Sequence, residues 1–118
     1  MNNNPINFNN SVFAFDYDGV LDNKPSYQLL AKYLLNLDKE VYIVTKRLPD
    51  EEIDGGSTEV YAISDKLGID KDNVVFTCNN DKSPFLILYD IQEFWDDTLT
   101  NLQEINNNAP QIITHLVK

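Results

Sequence analysis

Short unbroken apolar runs alternate along the chain with segments whose apolar residues recur every three or four positions, which predicts an α/β fold. Val12-Phe13-Ala14-Phe15, Val41-Tyr42-Ile43-Val44, Val74-Val75-Phe76-Thr77 and Ile91 to Trp95 each read as buried strands, with Gln111 to Val117 as a fifth. Between them the spacing predicts a helix over 27–36, capped by Ser26, with Leu30, Tyr33, Leu34 and Leu37 facing a core. A second helix is expected over 58–67, with Val60, Ile63 and Leu67 inward and Gly68 as its stop. Ser83-Pro84 opens a short third, serine as cap and proline at the first position. The fourth, over 98–106, carries Leu99, Leu102 and Ile105. Residues 48–57, with Pro49, an acidic run and Gly55-Gly56, form the least structured stretch.

Strands alternating with helices imply right-handed crossovers and a parallel sheet covered on both faces, a three-layer Rossmann-like domain. In such a sheet every strand ends on the same edge, where ligands bind. The polar residues gather there: Asp16 and Asp18 after the first strand, Thr45 after the second, Lys82 past the third, Asp96 and Asp97 after the fourth.

Composition narrows the class. The 118 residues suit one domain, expected over 11–118, and the six asparagines of Met1–Asn10 suggest a short flexible tail. A net charge of −10 argues against an extended nucleic-acid surface or an anionic membrane as partner. It leaves room for a phosphorylated substrate if a divalent cation offsets the local repulsion. Residues 29–37, the most apolar run, are too few to span a bilayer. The single cysteine, Cys78, forms no internal disulfide and suits a reducing, cytoplasmic setting.

The first strand carries the most specific signal. Asp16 and Asp18, two positions apart in an extended chain, put both carboxylates on one side, where their repulsion is costly without a cation. Asp18-Gly19 is also a common turn dipeptide. A calcium-loop spacing fails, with Val20 and Leu21 following and no glutamate at the twelfth position.

Taken in order, Asp16-Tyr17-Asp18-Gly19-Val20-Leu21-Asp22, a strand ending on Thr45, a later Lys82 and a strand ending on Asp96-Asp97 resemble the four motifs of haloacid dehalogenase-like phosphohydrolases. The resemblance implies Asp16 as nucleophile, forming an aspartyl-phosphate, and Asp18 as general acid and then base. It implies Mg2+ held by the Asp16 carboxylate, the Asp18 backbone carbonyl and Asp96, with Asp97 direct or through water. Thr45 and Lys82 would hold phosphoryl oxygens, and Gly19 would allow the tight turn beside them. Asp18 marks the phosphatase and phosphomutase members. The intervals 22–40 and 47–74 leave no room for a cap domain, which implies an open site for a large substrate or for a partner subunit that closes it.

The segment Thr45-Lys46-Arg47 and the short interval from Lys82 to Asp96 are also similar to the phosphatase domains of polynucleotide kinase-phosphatases, which carry glycine where Lys46 stands. A nucleotide, a nucleic-acid end or another large phosphorylated molecule is the substrate class this implies, bound through Thr45, Lys46, Arg47 and Lys82. A metal- or phosphate-binding regulatory domain without turnover is the alternative. A phospho-receiver is excluded, because Thr77-Cys78-Asn79 stands where its aspartate belongs.

Several residues keep two readings. Asp97 is a metal ligand or a helix cap. Lys46 and Arg47 touch substrate or pair with Asp50-Glu51-Glu52. Phe94 and Trp95 are core or site wall, and Tyr17 is a candidate for the entrance. His115 is expected at the surface or a strand end, and Cys78 lacks a histidine partner.

Overall fold

A computed structural model describes residues 4–118. Five parallel strands, β1 (Val12–Phe15), β2 (Glu40–Thr45), β3 (Val74–Phe76), β4 (Glu93–Asp96) and β5 (Ile113–Leu116), form one sheet in the order β3-β2-β1-β4-β5. Helices α1 (Pro25–Asn36) and α2 (Thr58–Leu67) cover one face, and α3 (Ser83–Leu88) and α4 (Leu99–Asn108) cover the other. The expected three-layer parallel α/β architecture is thus present.

Side-chain alternation along each strand builds two cores. Phe13, Phe15, Val41, Ile43 and Trp95 meet Ala31 and Leu34 of α1 and Val60 and Leu67 of α2. Val12, Ala14, Val44 and Phe94 meet Leu86 of α3 and Leu102 and Ile105 of α4. With both faces buried, the central strands have no polar side to show, hence their unbroken apolar runs.

The structure corrects several expectations. Helix α1 starts at Pro25, whose fixed φ suits the first turn, and not at a Ser26 cap. Its inward face is Ala31 and Leu34, with Leu30 half-buried, whereas Tyr33 and Leu37 are exposed. Leu99 of α4 is exposed as well. Ser83 does not cap α3, because its N–H and hydroxyl both donate to the Glu104 carboxylate of α4. Strand β4 begins at Glu93, and just before it the Gln92 side chain accepts from the Ser11 and Val12 N–H groups.

Of the expected tail, residues 1–3 lie outside the described residues, and 4–10 are docked on the sheet. Ile6 packs against the core on the α1 and α2 face, and Asn4 Nδ2 donates to the Thr114 carbonyl at 2.7 Å. The Asn7 N–H and Asn10 Nδ2 both donate to Glu93 Oε2, at 3.0 and 2.9 Å. His115, expected at the surface or a strand end, lies one residue from the end of β5, buried and 2.7 Å from Glu93 Oε1. Its ring stacks on Trp95, which stacks in turn on Phe15, across three adjacent strands.

Among the described residues no helix is long and apolar enough to cross a membrane, and no further domain covers the C-terminal edge of the sheet.

Candidate active site

The C-terminal ends of β1, β2 and β4 converge on the expected residues because the strands are parallel and in register, with Phe15 opposite Ile43 and Trp95. Asp16 leaves β1 in extended conformation, and its N–H donates to the Trp95 carbonyl at 2.9 Å, which ties it to β4. The chain then makes one wide turn of π type, closed by the Asp22 N–H on the Tyr17 carbonyl at 3.1 Å. Gly19 sits at φ +77° inside it, and a Cβ there would come within 1.9 Å of Asp97 Oδ2. Glycine is therefore required by the backbone, and any larger residue would also displace the Asp97 side chain.

Lys82 stands at the centre. Its side chain is 1% exposed, and Nζ lies 2.9 Å from both Asp16 Oδ1 and Asp96 Oδ2, over the Phe94 ring. Asp16 Oδ1 also accepts the Tyr17 N–H. Asp96 is fixed from the other side: Oδ1 accepts the Thr98 N–H and Oδ2 accepts Asn101 Nδ2, at 2.9 and 3.1 Å. Burial pushes Asp16 up from 3.8 to about 7, aided by the neighbouring Asp96 and opposed by Lys82. One ammonium is not enough for the charge gathered here.

Oxygens of Asp16, Asp96 and Asp97 lie within 4.8 Å of one another. Three carboxylates against one ammonium leave surplus negative charge, and this all-oxygen donor set fits a hard divalent cation. The Asp18 carboxylate is not part of that group; the ligand expected from Asp18 is its backbone carbonyl. Asp97 does not cap α4: its Oδ1 accepts the Thr98 hydroxyl at 3.1 Å, and Asp96 takes the backbone N–H.

Asp18 is held from the second side of the site. Arg47 Nε donates to Asp18 Oδ2 at 3.0 Å and Nη2 to Oδ1 at 2.8 Å. Arg47 Nη1 donates to the Gly56 carbonyl at 2.8 Å and to Glu59 Oε2, and the guanidinium lies 4.7 Å over the Tyr17 ring. Arg47 therefore pairs with Asp18 and Glu59, not with the run Asp50-Glu51-Glu52. Its hydrogen bond to Asp18, above all, holds the guanidinium above its ordinary pKa. Glu59 and Gly56 escaped the sequence reading, since only the packing of α2 brings them to β2.

A cavity of about 270 Å³ opens here, lined by Asp16, Asp18, Gly19, Lys46, Lys82, Asp97, Thr98 and Asn101. Lys46 faces it and makes no ion pair among the described residues. Thr45 is fully buried at the end of β2, its hydroxyl accepting the Arg47 N–H at 3.3 Å, and does not line the cavity. Two larger hollows, of about 680 and 730 Å³, lie against α2 and against the N-terminal segment and hold none of the expected residues. Cys78 is exposed in the loop after β3, outside the cavity lining.

Compared with protein-family models and with curated proteins, the sequence matches none.

Proposed function

We propose that the chain is a magnesium-dependent phosphomonoester hydrolase acting through an aspartyl-phosphate. The observation that carries this reading is the buried Lys82 ammonium bridging Asp16 and Asp96, with Asp97 beside them, at the mouth of a cavity on the C-terminal sheet edge. Such a charge cluster is costly to fold, and a cation together with an anionic phosphoryl group is what it accommodates.

Asp16, Asp96 and Asp97 are the side chains that would hold Mg2+, which supplies charge compensation for the phosphoryl oxygens when bound. Asp16 attacks phosphorus in line, and the bond to the leaving oxygen breaks as the Asp16 oxygen–phosphorus bond forms. Lys82 keeps the Asp16 carboxylate oriented and faces the transferred oxygens. Asp18, at the cavity wall, takes up a proton on the oxygen that turns from Arg47 to the cavity and gives it to the leaving oxygen. It then takes one from the water that attacks the aspartyl-phosphate, releasing phosphate and restoring Asp16. Lys46 adds a second cation at the mouth. A cavity of about 270 Å³ with no covering domain holds a phosphoryl group and leaves the rest of the substrate outside. That favours a nucleotide, a nucleic-acid end or another large phosphorylated molecule.

The test is phosphate release from p-nitrophenyl phosphate with and without Mg2+, beside Asp16→Asn. Magnesium-dependent turnover is expected, reduced at least about a thousandfold by the substitution. No turnover, with Mg2+ still raising Tm, would instead favour a regulatory domain that binds metal. No metal effect of any kind would sink the site.

A further inference from the structure

Asp18 is exposed, with its side chain 55% accessible, yet it does not hang free. Both its oxygens accept from Arg47, so its direction is set by whatever sets Arg47. Two groups do so from the α2 side. The loop 48–57 is closed on itself by the Ser57 N–H on the Asp50 carbonyl at 3.0 Å and the Thr58 hydroxyl on the Glu51 carbonyl at 3.0 Å. Gly56 is needed for that closure, because a Cβ there would come within 1.9 Å of the Asp50 carbonyl oxygen. The closed loop presents the Gly56 carbonyl to Arg47 Nη1, and Glu59, in the first turn of α2, takes the same nitrogen.

Bidentate guanidinium–carboxylate pairs fix geometry as well as charge, and this one is anchored at its back by a second carboxylate. We infer that Glu59 is a positioning residue for Asp18, acting through Arg47, so that α2 and the 48–57 loop set how well the site expels poor leaving groups. This rests on the phosphatase reading above. The step it governs is transfer of a proton from Asp18 to the leaving oxygen as the phosphorus–oxygen bond breaks. An alkoxide leaving group needs that proton, whereas p-nitrophenolate departs without it.

Two measurements on Glu59→Gln test the inference. In the metal-free protein, exchange of the Arg47 Nε–H with solvent, followed by NMR, is expected to speed up at least about tenfold. In the magnesium-loaded protein, kcat/KM for glycerol 2-phosphate is expected to fall about tenfold, with that for p-nitrophenyl phosphate within about twofold of the unsubstituted chain. Glu59→Asp, which keeps the charge, should recover part of both effects. Unchanged exchange at Arg47 overturns the inference, and so does an equal fall for both substrates, the mark of a merely structural role. An unsubstituted chain that hydrolyses neither ester removes the phosphatase reading and this inference together, whereas an active one indifferent to Glu59→Gln removes the inference alone.

Discussion

Strand β4 carries a fully buried acid at each end, and the two are solved differently. At the N-terminal end, Glu93 Oε1 faces His115 and Oε2 accepts from Asn7 and Asn10. Every oxygen has a partner, and the hollow of about 730 Å³ nearby is bordered by Asn7 but by neither Glu93 nor His115. At the C-terminal end, Asp96 shares Lys82 with Asp16, Asp97 crowds in, and the group opens on a cavity. The first arrangement is closed and balanced, as a structural contact should be. The second gathers three carboxylates around one ammonium, the feature on which the proposed metal and phosphoryl site rests.

Removing the basic partner at the open end should have the largest effect. Lys82→Met leaves Asp16 and Asp96 buried without a cation, and is expected to cost about 3–5 kcal/mol of stability without divalent ions. Phosphate release should fall by about two to three powers of ten. Mg2+ should restore part of the lost stability, read by urea unfolding, because it takes over charge that Lys82 had offset. Glu93→Ala tests the closed end. It strands His115 and two amide donors and should cost about 3 kcal/mol. Here Mg2+ should restore nothing beyond its effect on the unsubstituted chain, and its affinity should be unchanged. Rescue at both ends alike would erase the distinction between them.

The pH dependence separates them further. Asp16 has its folded pKa raised from 3.8 to about 7, so its protonated form is favoured by folding. Its contribution to stability is fully present below pH ~4 and is lost as pH rises through about 7. Metal-free protein should therefore lose Tm across that window more steeply than Asp16→Asn does. Saturating Mg2+, which favours the carboxylate, should flatten the difference. The smallest effect belongs to Asp97→Asn. Asp97 is exposed and among the described residues bonds only the Thr98 hydroxyl, so stability should change by less than about 0.5 kcal/mol. Its Mg2+ affinity, measured by titration calorimetry, should nonetheless weaken about tenfold.

The same contrast explains what could be read in the sequence. The open end was legible because it depends on a rule of topology: buried strands in a parallel sheet all end on one edge, so Asp16, Lys82 and Asp96 could be placed together without coordinates. The closed end depends on register. Glu93 and His115 are 22 residues apart and meet only because Trp95 pairs with His115 in the ladder. A glutamate inside the run Ile91-Gln92-Glu93-Phe94-Trp95 was the available signal that a partner had to exist. The asparagines that complete it looked like a tail because their donors serve a residue more than eighty positions away. The ion-pair partners of Arg47 were missed for a similar reason. Nearby acids in the sequence suggested the pair, while the placement of α2 supplied Glu59 instead. The inward face of α1 was shifted because its neighbours, not its own periodicity, decide which of several adjacent apolar positions is covered.

Trp95 is the chain's only tryptophan, and it lies in the middle of this strand, stacked 4.4 Å from the His115 ring and one residue before Asp96. Its emission is therefore a built-in optical gauge of both ends of β4. Displacement of the imidazole stacked on it alters the indole's surroundings one way, and a change at Asp96 alters them from the other. Site loading and loosening of the N-terminal segment can both be followed in the unlabelled protein, through a single native chromophore.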